Sequence, residues 1–122
     1  MSKHVLIADD EPNIVVSLEF LMKREGHCVS IARDGAAALA MIRELKPDLV
    51  LLDVMMPGRN GFDVCQAVRS DESLAGTKIL MLSAKGRDTD VAKGSALGAD
   101  AYMTKPFSTR ELADKVRELL GA

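Results

Sequence analysis

The chain is short of cysteine and of aromatic residues, has no basic excess and contains no long apolar run. Cys28 and Cys65 are its only cysteines. They lie far apart, without a CxxC or a zinc-type spacing, so neither a disulfide framework nor a structural zinc site organises the fold. They read as two buried thiols acting as small hydrophobes in a reducing compartment. Lysine and arginine number 16 against 18 acids, a net charge of −2. A protein that grips nucleic acid or an anionic membrane surface without regard to sequence needs the opposite balance, so neither partner is expected. No apolar run approaches the roughly 18 residues of a membrane span. Only Val5 to Ala8 form an apolar stretch before two aspartates, too little for a secretory signal, and a cytoplasmic protein is expected. What is present is ordinary for a globule: 122 residues, 48% apolar and 28% charged. That composition is too apolar for disorder and fits one domain over residues 1–122, able to bury about two-thirds of its unfolded surface.

Five short apolar runs punctuate the sequence: Val5–Ala8, Val29–Ala32, Leu49–Leu52, Ile79–Leu82 and the weaker Ala101–Met103. They are continuous rather than alternating, as strands covered on both faces of a parallel sheet must be. Between them the apolar period lengthens to that of a helix. Ile14, Leu18, Leu21 and Met22 make one stripe, with Pro12 suited to a first helical position and Gly26 to a stop. Ala36, Leu39 and Ala40 suggest a second helix closed by Lys46-Pro47, and Val64, Ala67 and Val68 a third. The short stretch Val91 to Leu97, ended by Gly98, suggests a fourth. Ser108 and Glu111 form a capping box ahead of Leu112, Val116, Leu119 and Leu120, a fifth. Strand and helix alternate five times. Right-handed crossovers then give an open, doubly wound α/β sheet with helices on both faces.

Ligands of such sheets sit outside the carboxyl ends of the strands. There the sequence delivers Asp9, Asp10 and Glu11 after the first run and Asp53 after the third. Ser83 follows the fourth, and Thr104 and Lys105 follow the fifth. Arg33 and Asp34, after the second, are expected to one side. Each has a plain structural alternative. The first three acids could cap a helix, Lys105 could be a structural counter-ion to Asp53, and Ser83 could bond its own loop. Together they describe chemistry. Clustered carboxylates cannot all ionise without a cation. Hard oxygen donors select Mg²⁺ over zinc or copper. A carboxylate not consumed by the metal can attack phosphorus, and an ammonium and a hydroxyl can hold the charge that develops.

These residues resemble the receiver domain of bacterial two-component response regulators, over essentially Val5 to Leu120. Four signatures carry the likeness: Ala8-Asp9-Asp10-Glu11-Pro12; Leu52-Asp53-Val54-Met55-Met56-Pro57 followed by Gly61; Leu82-Ser83-Ala84-Lys85; and Thr104-Lys105-Pro106-Phe107. The resemblance implies a flavodoxin-like sheet of order 2-1-3-4-5 with five helices. It implies that Asp53 accepts a phosphoryl group from a phosphohistidine on a histidine kinase or histidine phosphotransfer protein. Asp10, Asp53 and the Met55 backbone carbonyl would bind Mg²⁺ directly, with Mn²⁺ as a substitute, and Asp9 would act through water. Lys105 would pair with the phosphoryl oxygens, Ser83 would close its hydroxyl onto them, and Ala84 would offer a backbone N–H. Pro57 and Gly61 would shape the loop, and the Lys105-Pro106 bond would be cis. Ser83 and Tyr102 would form the switch. Ser83 moves inward, Tyr102 follows, and the surface of the fourth helix, fifth strand and fifth helix changes for a downstream effector. A phosphorylation-dependent homodimer through that surface is left open.

This chain departs from the pattern at Ser83, where relatives often have threonine, and at Asn60, where many have an acid. Met55 and Lys85 occupy positions that tune phosphoryl lifetime in the family. His4 and His27 precede their strands and belong at the opposite pole. The seven methionines read as core filler, apart from Met55 and Met56 in a loop beside the site. Two competing functions fit less well. A phosphatase working through an aspartyl phosphate usually has a general acid two residues after its nucleophile, where this chain has Met55. A nucleotide or flavin module wants a phosphate loop after strand one, where Asp9-Asp10-Glu11 would repel the phosphate. No helix-turn-helix or basic patch follows Leu120. The expectation is a stand-alone receiver, a signalling switch that catalyses only its own phosphorylation and autodephosphorylation.

Overall fold

A computed structural model describes residues 3–56, 60–84 and 97–121. Five parallel strands, β1 (His4–Ala8), β2 (Cys28–Ala32), β3 (Leu49–Asp53), β4 (Lys78–Ala84) and β5 (Ala101–Lys105), form one sheet of order β2-β1-β3-β4-β5. Four helices are described: α1 (Pro12–Arg24), α2 (Gly35–Leu45), α3 (Gly61–Arg69) and the C-terminal α4 (Thr109–Leu120). A single 3-10 turn, Glu72–Leu74, precedes β4 and was not anticipated from the sequence. The helix expected around residues 91–97 falls almost wholly outside the described residues, as do Pro57 and Lys85.

The continuous apolar runs are explained by the two layers. Alternate residues Leu6, Ala8, Val50, Leu52, Ile79 and Met81 meet α2 and α3 through Leu39, Ile42, Val64 and Val68. The intervening Val5, Ile7, Leu49, Leu51, Leu80 and Leu82 meet α1 and α4 through Val15, Leu18, Leu112 and Val116. All five residues of β3 are buried, Asp53 included. Each fully buried Val, Leu or Ile contributes roughly 1.5–3 kcal/mol of transfer free energy, which fixes the register of the central strands. The edge strands are less covered. All of β5 except the exposed Thr104 is half-buried, which is why its sequence signal was weak. Cys28 corrects the expectation of two buried thiols: it opens edge strand β2 and is exposed, whereas Cys65 on α3 is buried. Among the described residues no helix is long and apolar enough to cross a membrane.

Local signals set the ends of the helices. Pro12 begins α1, and the left-handed Gly26 (φ 88°) follows its end. The Asp34, Asn60 and Ser108 side chains accept from the backbone N–H groups of Ala37, Asp63 and Glu111 and so open α2, α3 and α4. Lys46, at φ 46°, ends α2. A charged cluster then ties α3 to the β4–β5 region. The Arg69 guanidinium donates to the carbonyls of Gly98 and Thr77, each at 2.8 Å, and to Asp100 Oδ2 at 2.6 Å. Asp100 Oδ2 also accepts from Ile79 N at 2.8 Å. Arg69→Ala strands these acceptors and is expected to lower stability by about 1–3 kcal/mol, read from urea unfolding midpoints.

Candidate functional site

The register brings the strand-end residues to one edge of the sheet. Asp53 pairs across to Leu82 of β4, and Ser83 and Ala84 extend β4 beyond that level, opposite Thr104 and Lys105 of β5. On the other side Asp9 prolongs β1, its N–H donating to Ala32 O at 3.1 Å. Asp53, Ser83, Thr104 and Lys105, expected at the ends of their strands, sit on the last rungs of the ladder. Their backbones are held by sheet hydrogen bonds rather than by loops.

Asp9, Asp10 and Asp53 each present a carboxylate oxygen within 4.8 Å of the others. Asp9 and Asp53 are buried and Asp10 is exposed, so the cluster opens to water on the Asp10 side. The Lys105 ammonium lies against it, 3.0 Å from Asp9 Oδ2, 2.9 Å from Glu11 Oε1 and 3.4 Å from Asp53 Oδ1. Burial would pull this ammonium down, but the Glu11 and Asp9 carboxylates that accept its protons outweigh burial and push its pKa up to about 12. Asp53 moves upward as well, to about 6. Burial is the largest cause and the neighbouring Asp9 charge the second, only partly offset by Lys105 and the Met55 N–H. One ammonium therefore does not neutralise this many carboxylates. The donors are hard, close together and short of positive charge, which is what a divalent cation with a preference for oxygen requires.

The helix-capping alternative for the first three acids does not describe α1. Glu11 occupies its N-cap but makes no side-chain cap bond, and its carboxylate goes to Lys105 instead. Asp9 Oδ1 accepts from Glu11 N at 2.9 Å, which orients Oδ2 toward Lys105. Ser83 is buried in β4, one row beyond Asp53. Tyr102 lies two rows below Ser83, half-buried, packed with the core cluster that contains Leu52 and Met81. Met55 is 65% exposed beside Asp53, whereas Met56 turns into the core, so only the first of the two faces water. The Lys105–Pro106 peptide bond is cis. His4 and His27 lie at the opposite pole, where His4 Nε2 meets Ser30 Oγ at 2.7 Å and His27 Nδ1 accepts from Lys3 N at 3.3 Å.

Two features go beyond the sequence reading, which gave Gly61 only a loop-shaping part and Val16 and Phe20 none. Gly61, the first residue of α3, lies so close to β3 that a Cβ there would collide with the Asp53 carbonyl oxygen and sit 3.0 Å from Val54 Cα. Nothing in the glycine itself signals this, because the approach is tertiary. Val16 and Phe20, 64% and 68% exposed, stand one turn apart on the outer face of α1, which begins directly after Glu11. Their signal was legible as apolar residues off the buried stripe of Val15, Leu18, Leu21 and Met22.

Comparison with known proteins agrees with this geometry. The response regulator receiver domain family matches residues 5–117. The DNA-binding response regulator MtrA of Mycolicibacterium smegmatis is 44% identical over 120 residues, 98% of this chain and 51% of that protein. The chain thus spans about half the length of that curated relative. Among solved structures, the chemotaxis response regulator CheY4 of Vibrio cholerae superposes with a TM-score of 0.91 at 30% identity, covering 98% of this chain and 99% of that one. The receiver domain of the Francisella response regulator 1452 gives 0.90 at 30% identity, covering 98% of each. A receiver's sheet order, its acidic strand ends and a family match over nearly the whole length coincide in one molecule, and the chain belongs to the response regulator receiver domains of two-component signalling systems.

Proposed function

We propose that residues 1–122 act as a cytoplasmic receiver domain in which Asp53 accepts a phosphoryl group from a phosphohistidine of a histidine kinase or phosphotransfer protein. A carboxylate oxygen of Asp53 forms the new P–O bond as the P–N bond breaks, and that electron pair returns to the imidazole. The product is an acyl phosphate, which water later hydrolyses to phosphate and free carboxylate. The observation that carries this reading is the convergence of Asp9, Asp10 and Lys105 around Asp53. Asp10, Asp53 and the Met55 carbonyl would hold Mg²⁺ (or Mn²⁺), and Asp9 would act through a water. The ion, when bound, offsets the carboxylate repulsion and the charge that develops on phosphorus. Lys105 and the Ser83 hydroxyl take the phosphoryl oxygens from the β5 and β4 sides, with the Ala84 N–H as a further donor. Gly61, where α3 meets β3, and Pro106, after the cis bond, shape the chain around the site. Met55, exposed beside Asp53, and the exposed Val16 and Phe20 of α1 favour docking of a protein phosphodonor.

The output follows from population shift. A new charge of about −1.5 to −2 favours whichever arrangement brings Ser83 and Lys105 onto it. Tyr102, two rows below Ser83 on the adjacent edge strand, carries that change to the β5–α4 surface and thus to an effector protein or a second copy of the chain. The domain itself contacts neither nucleic acid nor membrane.

Incubation with a small-molecule phosphodonor and Mg²⁺ is expected to add one base- and hydroxylamine-labile phosphoryl group to a peptide containing Asp53, detected by mass spectrometry, and chelation should prevent it. Labelling elsewhere, or labelling indifferent to the metal, overturns the assignment. Lys105→Ala should remain folded and labelled, more slowly, while the Tyr102 signals of labelled protein no longer move; unchanged Tyr102 shifts would remove Lys105 from the switch.

A further inference from the structure

An ammonium has three protons to donate, and three carboxylates claim those of Lys105: Glu11, Asp9 and Asp53, at 2.9, 3.0 and 3.4 Å. The shortest contact goes to the residue that the proposed reaction does not use. The three partners also differ in how readily they can let go. The side chains of Asp9 and Asp53 are 0% and 5% exposed, and leaving either unpaired strands a buried charge. The Glu11 side chain is 58% exposed and can exchange its partner for water. Helix capping does not hold it in place, since it makes no cap bond to α1. A phosphoryl group on Asp53 brings further oxygens that compete for the same ammonium, and it repels a carboxylate bridged to that ammonium.

We propose that Glu11 is a positioning residue that holds the Lys105 ammonium at the mouth of the acidic cluster in the unphosphorylated protein and yields it to the phosphoryl oxygens. Glu11 thereby sets the balance between the two states. It opposes phosphorylation as a competitor for Lys105, while the buried Asp9 keeps the ammonium anchored throughout. The inference rests on the reading of Asp53 as phosphoacceptor and adds a determinant that the four strand-end signatures do not assign.

The test titrates the whole chain, with Mg²⁺ present, with beryllofluoride as the phosphoryl analogue. Glu11→Gln is expected to bind it roughly two- to fivefold tighter than wild type, the range for loss of one partly solvated ion pair. Its affinity for Mg²⁺ alone, titrated separately, should not rise. Glu11→Asp keeps the charge but is one methylene shorter, and is expected to retain at least half of the gain. Equal or weaker analogue binding by Glu11→Gln overturns the proposal. So does a Glu11→Asp variant that matches wild type, because the effect would then be one of field and not of contact. If wild-type protein neither binds the analogue nor labels at Asp53, the failure lies in the phosphoacceptor reading instead.

Discussion

Replacing Asp53 with asparagine is expected to abolish phosphoryl uptake while making the metal-free protein more stable. The two effects share a cause. In the folded chain burial and the Asp9 charge raise Asp53 from 3.8 to about 6. A carboxylate with a raised folded pKa contributes stability that is complete below its unfolded pKa and lost as pH rises through the folded value. Above about pH 6 the native protein therefore carries an ionised Asp53 against its preference. The amide removes that charge at nearly constant shape, and the gain is expected to be about 1–3 kcal/mol at pH 7.5. It should shrink as pH falls from about 6 towards 4 and vanish below that, where wild type is protonated in both states. Urea unfolding at several pH values, with chelator present, measures it. Mg²⁺ should reverse the order, because a ligand at 100 times its Kd adds about 2.7 kcal/mol to the protein that binds it, and the variant has lost one donor. A variant less stable than wild type at pH 7.5 without metal would show that Asp53 is not held against like charge. Persistent labelling would show that another group is the nucleophile.

Gly61→Ala is expected to be the most damaging small substitution near the site. The added methyl would overlap the Asp53 carbonyl and press on Val54, both backbone atoms of the chain segment that carries the phosphoacceptor. No flexible side chain is there to yield. Gly61 N also donates to Val54 O at 2.8 Å, so α3 cannot retreat without giving up that bond. Overpacking of this kind costs about 1–3 kcal/mol, and the strain falls on the residue whose carboxylate must be aligned. The expected outcome is a lower unfolding midpoint together with slower Asp53 labelling. The control is Gly76→Ala, where a Cβ meets nothing within 4 Å and neither quantity should change. Full labelling and unchanged stability in Gly61→Ala would mean that the contact between α3 and β3 is looser than described.

Much of this molecule could be read before any coordinates. Continuous apolar runs separated by helical periods dictated a parallel sheet covered on both faces, because a strand buried on both sides has no polar positions to offer. Ser108, Pro12 and Gly26 marked helix ends through local backbone chemistry that needs no tertiary partner. Asp53 directly after four buried residues announced a carboxylate kept from water. Edge effects were harder. The exposure of Cys28 and the weakness of the β5 signal depend on which strands lie outermost, and strand order is settled by the crossovers and not by the strands.

Which groups exist, and at which strand ends they emerge, is written in the chain, since the alternation of periods is a local property. What they do to one another is set by how the segments pack. Glu11 reaches Lys105 across 94 positions, Gly61 touches the backbone of Asp53, and Asp53 titrates near 6 instead of near 4. Each of these depends on distances of a few ångströms and on the exclusion of water between segments remote in the chain, which no single segment specifies.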